Sequence, residues 1–169
     1  AALINRTSVQ INYVEAEFDN LPEQFDGYRI AQFSDFHVGT YGTDTTFVSE
    51  VVDVINNQGA DAIMFTGDIV NRRTDELLPF TGVLSRLDAP DGVYSILGNH
   101  DYGDYSTWES DAAKLDNMNL MCRLQKKMGW RMLNNETEFI RRDGDSIAVV
   151  GVENWGDPPF TVYGDLDLA

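Results

Sequence analysis

Three short apolar runs, each ending abruptly in a polar cluster, constrain this chain more than any other feature. Tyr28–Ser34 stops at Asp35-Phe36-His37, Ala60–Thr66 at Gly67-Asp68, and Gly92–Leu97 at Gly98-Asn99-His100-Asp101. Helically spaced stretches lie between them. Asp44 and Thr45 are placed to cap a helix whose Phe47, Val48, Val51, Val52 and Ile55 make one apolar stripe, closed by Gln58-Gly59. Asp75–Leu87 repeats the pattern with Leu77, Phe80 and Leu84, and tolerates Pro79 only in a first turn. This alternation predicts an α/β layered domain, a sheet covered by helices.

The flanks extend that frame. Residues 8–18 alternate, with Val9, Ile11 and Tyr13 on one side, and read as a half-buried strand. Ser106-x-x-Glu109 has the form of a capping box opening a helix from Thr107 to about Met128. Its expected buried face carries Trp108, Ala112, Leu115 and Cys122, and Gly129 ends it. Thr137–Arg142 and Ser146–Val152 flank Asp143-Gly144, a strong hairpin signal that adds antiparallel strands at one side. No repeat, linker or low-complexity segment interrupts the chain, so residues 1–169 are expected to form a single domain.

Composition excludes several functions. Nine Phe, seven Tyr and three Trp in 169 residues are incompatible with disorder. No apolar run is long enough to span a membrane, and the opening residues do not form a signal peptide. A single cysteine rules out a disulfide framework and a cysteine-based zinc finger. Twelve basic against 28 acidic residues give a formal charge of −16, which repels polyanions and argues against a duplex nucleic-acid partner. If such a protein meets a phosphate, metal must supply the positive charge.

The polar clusters suit that requirement. Each follows a buried strand, the edge where open α/β sheets bind ligands. On an extended segment Asp35 and His37 point the same way, a half-site for Mn, Fe or Zn. In a parallel sheet Asp68 lies beside Asp35, and a cation between two carboxylates removes their repulsion. Asn99 offers a neutral carbonyl oxygen. His100 is free to act as a general acid or to hold a phosphate oxygen, and Asp101 can accept from its imidazole and orient it. Taken singly, each cluster also has a plain reading: a surface loop with one satisfied histidine, a turn or helix cap, a polar turn.

DxH at 35–37, GD at 67–68 and GNHD at 98–101 resemble, in order, spacing and placement, the first three motifs of the calcineurin-like metallophosphoesterases. The opening FDGYRIAQFSDFHVGTYG is most similar to their bacterial membrane-associated branch. The resemblance covers roughly residues 8–155. It implies a two-sheet β-sandwich flanked by helices and hydrolysis of a phosphomonoester or phosphodiester by a metal-bridging hydroxide. Asp35 and His37 would bind a first metal, Asp68 would bridge two, and Asn99 would bind the second and touch the phosphate. His100 would protonate the leaving oxygen or stabilise the transition state, with Asp101 behind it. The substrate class implied is a small-molecule or lipid-like phosphoester.

The later family motifs, a histidine after a further strand and a Gly-His-x-His element, have no counterpart, since His37 and His100 are the two histidines present. The expectation is therefore the N-terminal portion of a catalytic domain, incomplete at its C-terminus. It should hold one firmly bound divalent ion or none, where a complete member holds two. Hydrolysis should need ligands from elsewhere, with Glu153 and Asp157 as weak substitutes. Any membrane anchor would lie outside these residues. The rival reading is a non-catalytic metal- or phosphate-binding module. Nucleotide-binding glycine motifs and GxSxG are absent.

Overall fold

The computed structural model describes residues 7–156 and 160–169. Four strands, β1 (Ile30–Phe33), β2 (Ala62–Phe65), β3 (Val93–Ser95) and β4 (Arg131–Met132), form a parallel sheet in the order β1-β2-β3-β4. Ile30 pairs with Ala62, Ile63 with Val93, and Tyr94 with Arg131. The hairpin β5 (Glu136–Arg142) and β6 (Asp145–Gly151) forms a second, antiparallel sheet, turning at Asp143-Gly144 as its sequence predicts.

Strand alternation sorts side chains onto two faces. Ile63, Phe65 and Val93 join Val48 and Val52 of α1 (Thr46–Asn56), Leu84 of α2 (Thr81–Leu84), and Met121 and Leu124 of α3 (Asp111–Lys127) in the main core. Ala62 and Tyr94 point the other way and pack with Phe25, Leu133 and Ile140 of the hairpin. The parallel sheet thus lies between helices and a second sheet. The mixed α/β layered fold expected from the sequence is present, and the antiparallel strands cover a face rather than extend an edge.

Polar contacts lock the hairpin to the N-terminal end of the sheet. Arg142 Nη2 reaches Asp61 Oδ1 at 2.9 Å and Asp91 Oδ2 at 2.8 Å, while the Tyr28 hydroxyl donates to Asp91 at 2.9 Å. Asp61 and Asp91 precede β2 and β3, so this clamp sits at the opposite end from the polar clusters.

Four expectations need correction. Residues 8–18 form no strand: they are exposed throughout, with Tyr13 84% and Val14 89% accessible, and their alternation has no surface to pack on. The predicted helix over 75–87 is mostly a 3-10 segment, Thr74–Phe80, followed by the short α2, and Pro79 lies in the 3-10 part. Helix α3 starts at Asp111, because Ser110 Oγ accepts from the Ala113 N–H at 3.2 Å whereas Ser106 Oγ is donated to the Arg72 carbonyl. Its buried face is Asn117, Met121, Leu124 and Gln125; Ala112, Leu115 and Cys122 are exposed.

Candidate metal centre

Each cluster follows its strand, and backbone pairing carries the strands' alignment into the loops. Beyond β1 and β2, the Asp35 N–H bonds to the Gly67 carbonyl at 3.0 Å, His37 N–H to Asp68 at 3.0 Å and Val38 N–H to Ile69 at 2.9 Å. Gly67, at φ +98°, lies so close to Gly98 that a Cβ on it would strike the Gly98 backbone. Two glycines back to back bring the second and third clusters together.

Asp35 (φ +53°), His37 (φ +44°) and Asp68 (φ +63°) all occupy the left-handed region. For a residue with a Cβ this costs on the order of 1–3 kcal/mol, strain that persists where surrounding contacts over-determine the backbone. The expected extended segment through Asp35 and His37 is therefore absent. Asp35 Oδ1 still comes within 3.9 Å of His37 Nε2, brought there by two left-handed kinks. His37 Nε2 is also 4.0 Å from Asp68 Oδ2.

His37, Asp68 and His100 offer ligand atoms that all lie within 4.8 Å of one another. The rings of the two histidines meet edge to face, 4.7 Å between centroids. His37 Nδ1 lies 3.1 Å from the Val70 carbonyl and His100 Nδ1 lies 2.7 Å from the Asn71 carbonyl. A carbonyl only accepts, so each Nδ1 carries the proton and each Nε2 keeps its lone pair for a ligand. A carboxylate plus two imidazoles oriented through their second nitrogens is a donor set suited to a borderline divalent cation. The residues present fit one. Asp35 stands at the rim, its side chain 67% exposed.

Asp101 does a different job from the one expected. It is completely buried, and its carboxylate accepts the backbone N–H groups of Asp68 (2.8 Å), Ile69 (2.9 Å), Val70 (3.2 Å) and Gly98 (3.0 Å). Its partners are main-chain donors, and the His100 imidazole is oriented by Asn71 instead. Burial pushes the Asp101 carboxyl up to about 7, against the pull of those N–H groups. Asp68 Oδ1 in turn accepts the His100 N–H at 2.8 Å, so Asp101 and Asp68 knit the two loops together.

Asn71 and Glu76 escaped the sequence reading. Glu76 Oε2 accepts the Asn71 N–H at 2.7 Å, and Oε1 accepts that of Arg73 at 3.3 Å, holding the loop that presents the Val70 and Asn71 carbonyls. Main-chain carbonyls leave no residue-type signal; only Glu76, early in an anticipated helix, could have hinted at the arrangement. Glu153 does not substitute as a ligand: it accepts from Tyr102 Oη at 2.9 Å and Asn135 Nδ2 at 2.8 Å. Asp157 lies outside the described residues.

Asn99 faces a cleft of about 340 Å³, lined also by Asp104, Tyr105, Asn154, Phe160 and Tyr163. Lys114 and the Tyr163 hydroxyl satisfy Asp104. No helix among the described residues is long and apolar enough to cross a membrane.

Comparison with known proteins agrees with this geometry. The family model described as calcineurin-like phosphoesterase matches residues 28–166. The chain is 39% identical over 92 residues, 52% of its length, to an uncharacterized metallophosphoesterase, YkuE, of Bacillus subtilis, and this covers 31% of that protein. It is 40% identical over 92 residues, 51% of its length, to the UDP-2,3-diacylglucosamine pyrophosphatase LpxG of Chlamydia trachomatis, covering 27% of it. A transmembrane protein with metallophosphoesterase domain from Danio rerio is 30% identical over 147 residues, 83% of this chain and 30% of that protein. The chain thus spans less than a third of each of these relatives. A family match across most of its length, on a parallel sheet that gathers a two-histidine, one-carboxylate group at its ligand-binding edge, makes this chain a member of the calcineurin-like phosphoesterases.

Proposed function

We propose that these residues form the metal-binding face of a metal-dependent phosphoester hydrolase. The observation that carries the reading is the convergence of His37, Asp68 and His100, both imidazoles being fixed through Nδ1 by neighbouring carbonyls. His37 and Asp68, with Asp35 at the rim, would hold a divalent Mn, Fe or Zn ion, and Asn99 would add a neutral oxygen. When bound, such ions neutralise charge on the phosphoryl oxygens and activate water. In this assignment His100 Nε2, within 4.8 Å of the other ligand atoms, stays outside the ion's shell: with its Nδ1 proton committed to Asn71, it is the atom that would take up a proton and return it to the leaving oxygen. Asp101 fixes the loops that set these distances.

Two histidines supply too few ligands for two closed metal shells. Full activity then depends on donors from outside these 169 residues, as in the N-terminal portion of a catalytic domain. The substrate class is a small-molecule or lipid-like phosphoester. The name of the chlamydial relative specifies a diacylated sugar nucleotide, and the aromatic residues of the cleft beside Asn99 suit a bulky, largely apolar substituent on the phosphate.

Elemental analysis after Mn²⁺ loading, with bis(4-nitrophenyl) phosphate hydrolysis on the same sample, tests this. One bound ion with weak or no turnover is expected, and Asp68→Asn should lose the ion and any turnover together. Metal retained in Asp68→Asn would sink the assignment, and two ions with brisk turnover would sink the dependence on outside ligands.

A further inference from the structure

Tyr105 touches both chemistry-bearing side chains of the Gly-Asn-His-Asp loop. Its hydroxyl lies 2.6 Å from Asn99 Nδ2, and its ring lies over that of His100 with centroids 4.4 Å apart and planes tilted 38°. It also lines the cleft beside Asn99.

We propose that Tyr105 is a positioning residue, whose hydroxyl accepts from Asn99 Nδ2 and holds the amide in place with Oδ1 turned out for a cation. The proposal rests on the metal-site reading given above. An asparagine amide has a donor end and an acceptor end, and only the oxygen can serve a cation. With Nδ2 engaged, Oδ1 is the atom that remains. A phenol can accept or donate, so the direction is set jointly: once a cation takes Oδ1, Nδ2 needs an acceptor, and the hydroxyl supplies one without charge. A carboxylate in its place would hold the amide equally well but would compete for the ion and add negative charge to a chain already at −16. The ring contact makes the arrangement a joint one, since the same side chain that turns the amide limits the swing of His100.

The test is calorimetric titration of the 169-residue chain with Mn²⁺, using wild type, Tyr105→Phe, Asn99→Ala and the double variant. Tyr105→Phe keeps the ring on His100 and removes only the hydroxyl. It should weaken Mn²⁺ binding about fivefold, the loss expected for one hydrogen bond, and should add nothing once Asn99 is alanine. An equal weakening in both backgrounds would mean the hydroxyl does not act through Asn99, which overturns the proposal. Full affinity in Tyr105→Phe beside reduced affinity in Asn99→Ala also overturns it, while leaving the metal site standing. If Asn99→Ala has no effect, the assignment of Asn99 fails and this proposal with it, whereas Asp68→Asn still reports on the site itself. A second measurement needs no variant: the Asn99 side-chain amide protons of ¹⁵N-labelled wild type, with Zn²⁺ bound, should show one hydrogen-bonded and one free resonance. Two solvent-like resonances would overturn the assignment.

Discussion

The Asp101 carboxylate accepts the backbone N–H of Asp68 at 2.8 Å, so one buried acid holds another in the left-handed conformation that aims it at His37. Ile69, Val70 and Gly98 donate to the same carboxylate. Asp101→Asn replaces an acceptor oxygen by a donor and strands at least one buried N–H. A loss of about 2–4 kcal/mol is expected from such an uncompensated donor. Urea denaturation gives the value, and hydrogen exchange should show protection lost at amides 68–70 and 98 first.

Gly39 faces Glu76 and Asn71, and a Cβ added there would collide with a Glu76 carboxylate oxygen and the Asn71 side-chain oxygen. Gly39→Ala should therefore loosen the Glu76 grip on the 71–73 backbone and, through the Asn71 carbonyl, the orientation of His100. A destabilisation of about 1–3 kcal/mol is expected from overpacking. The readout specific to the site is the His100 imidazole resonance, which should broaden or shift while the core methyl signals stay in place.

The hairpin clamp has an acid signature. Burial opposes the charge on Asp61, but the Arg142 guanidinium and the Arg29 N–H outweigh it and hold the carboxyl below its ordinary value. A group depressed in the folded state stabilises above its unfolded pKa, and that contribution is lost as pH falls through the folded one. Arg142→Met removes the main counterweight. Its acid-unfolding midpoint, followed by circular dichroism, should move to higher pH than that of the wild type.

Cys122 gives the simplest check on the register of α3. It is exposed, on the face opposite Met121 and Leu124. A maleimide should modify it fully in the native chain without altering the thermal midpoint. Protection until unfolding would place it in the core and require a rotated helix.

Much of this arrangement is legible in the residues alone. β1, β2 and β3 each combine an apolar run with a sudden polar stop, and the stops converge because parallel strands end at one edge. Other parts are hidden for physical reasons. Asn117 and Gln125 lie on the buried face of α3, where Thr74 N–H and Ser95 Oγ donate to their side-chain oxygens, so an apolar stripe is the wrong guide. β4 is two residues long, too short for any periodicity. Residues 8–18 alternate convincingly and still form no strand, since alternation stabilises only against a partner surface. At the site, the meeting of the clusters that carry His37, Asp68 and His100 is readable from the sequence, whereas the carbonyls that orient the imidazoles belong to Val70 and Asn71, whose side chains announce nothing.

The Arg142 clamp and the His37–Asp68–His100 group lie at opposite ends of the same short strands. Four residues of β2 at about 3.3 Å each set a separation of roughly 13 Å. No side chain of the clamp reaches the site over that distance, which also exceeds the Debye length of about 8 Å that screens solvent-exposed charges at physiological ionic strength. Acid tolerance and the geometry of the His37–Asp68–His100 group thus rest on separate contacts: substitutions at 61, 91 and 142 can retune the first without touching a residue of the second.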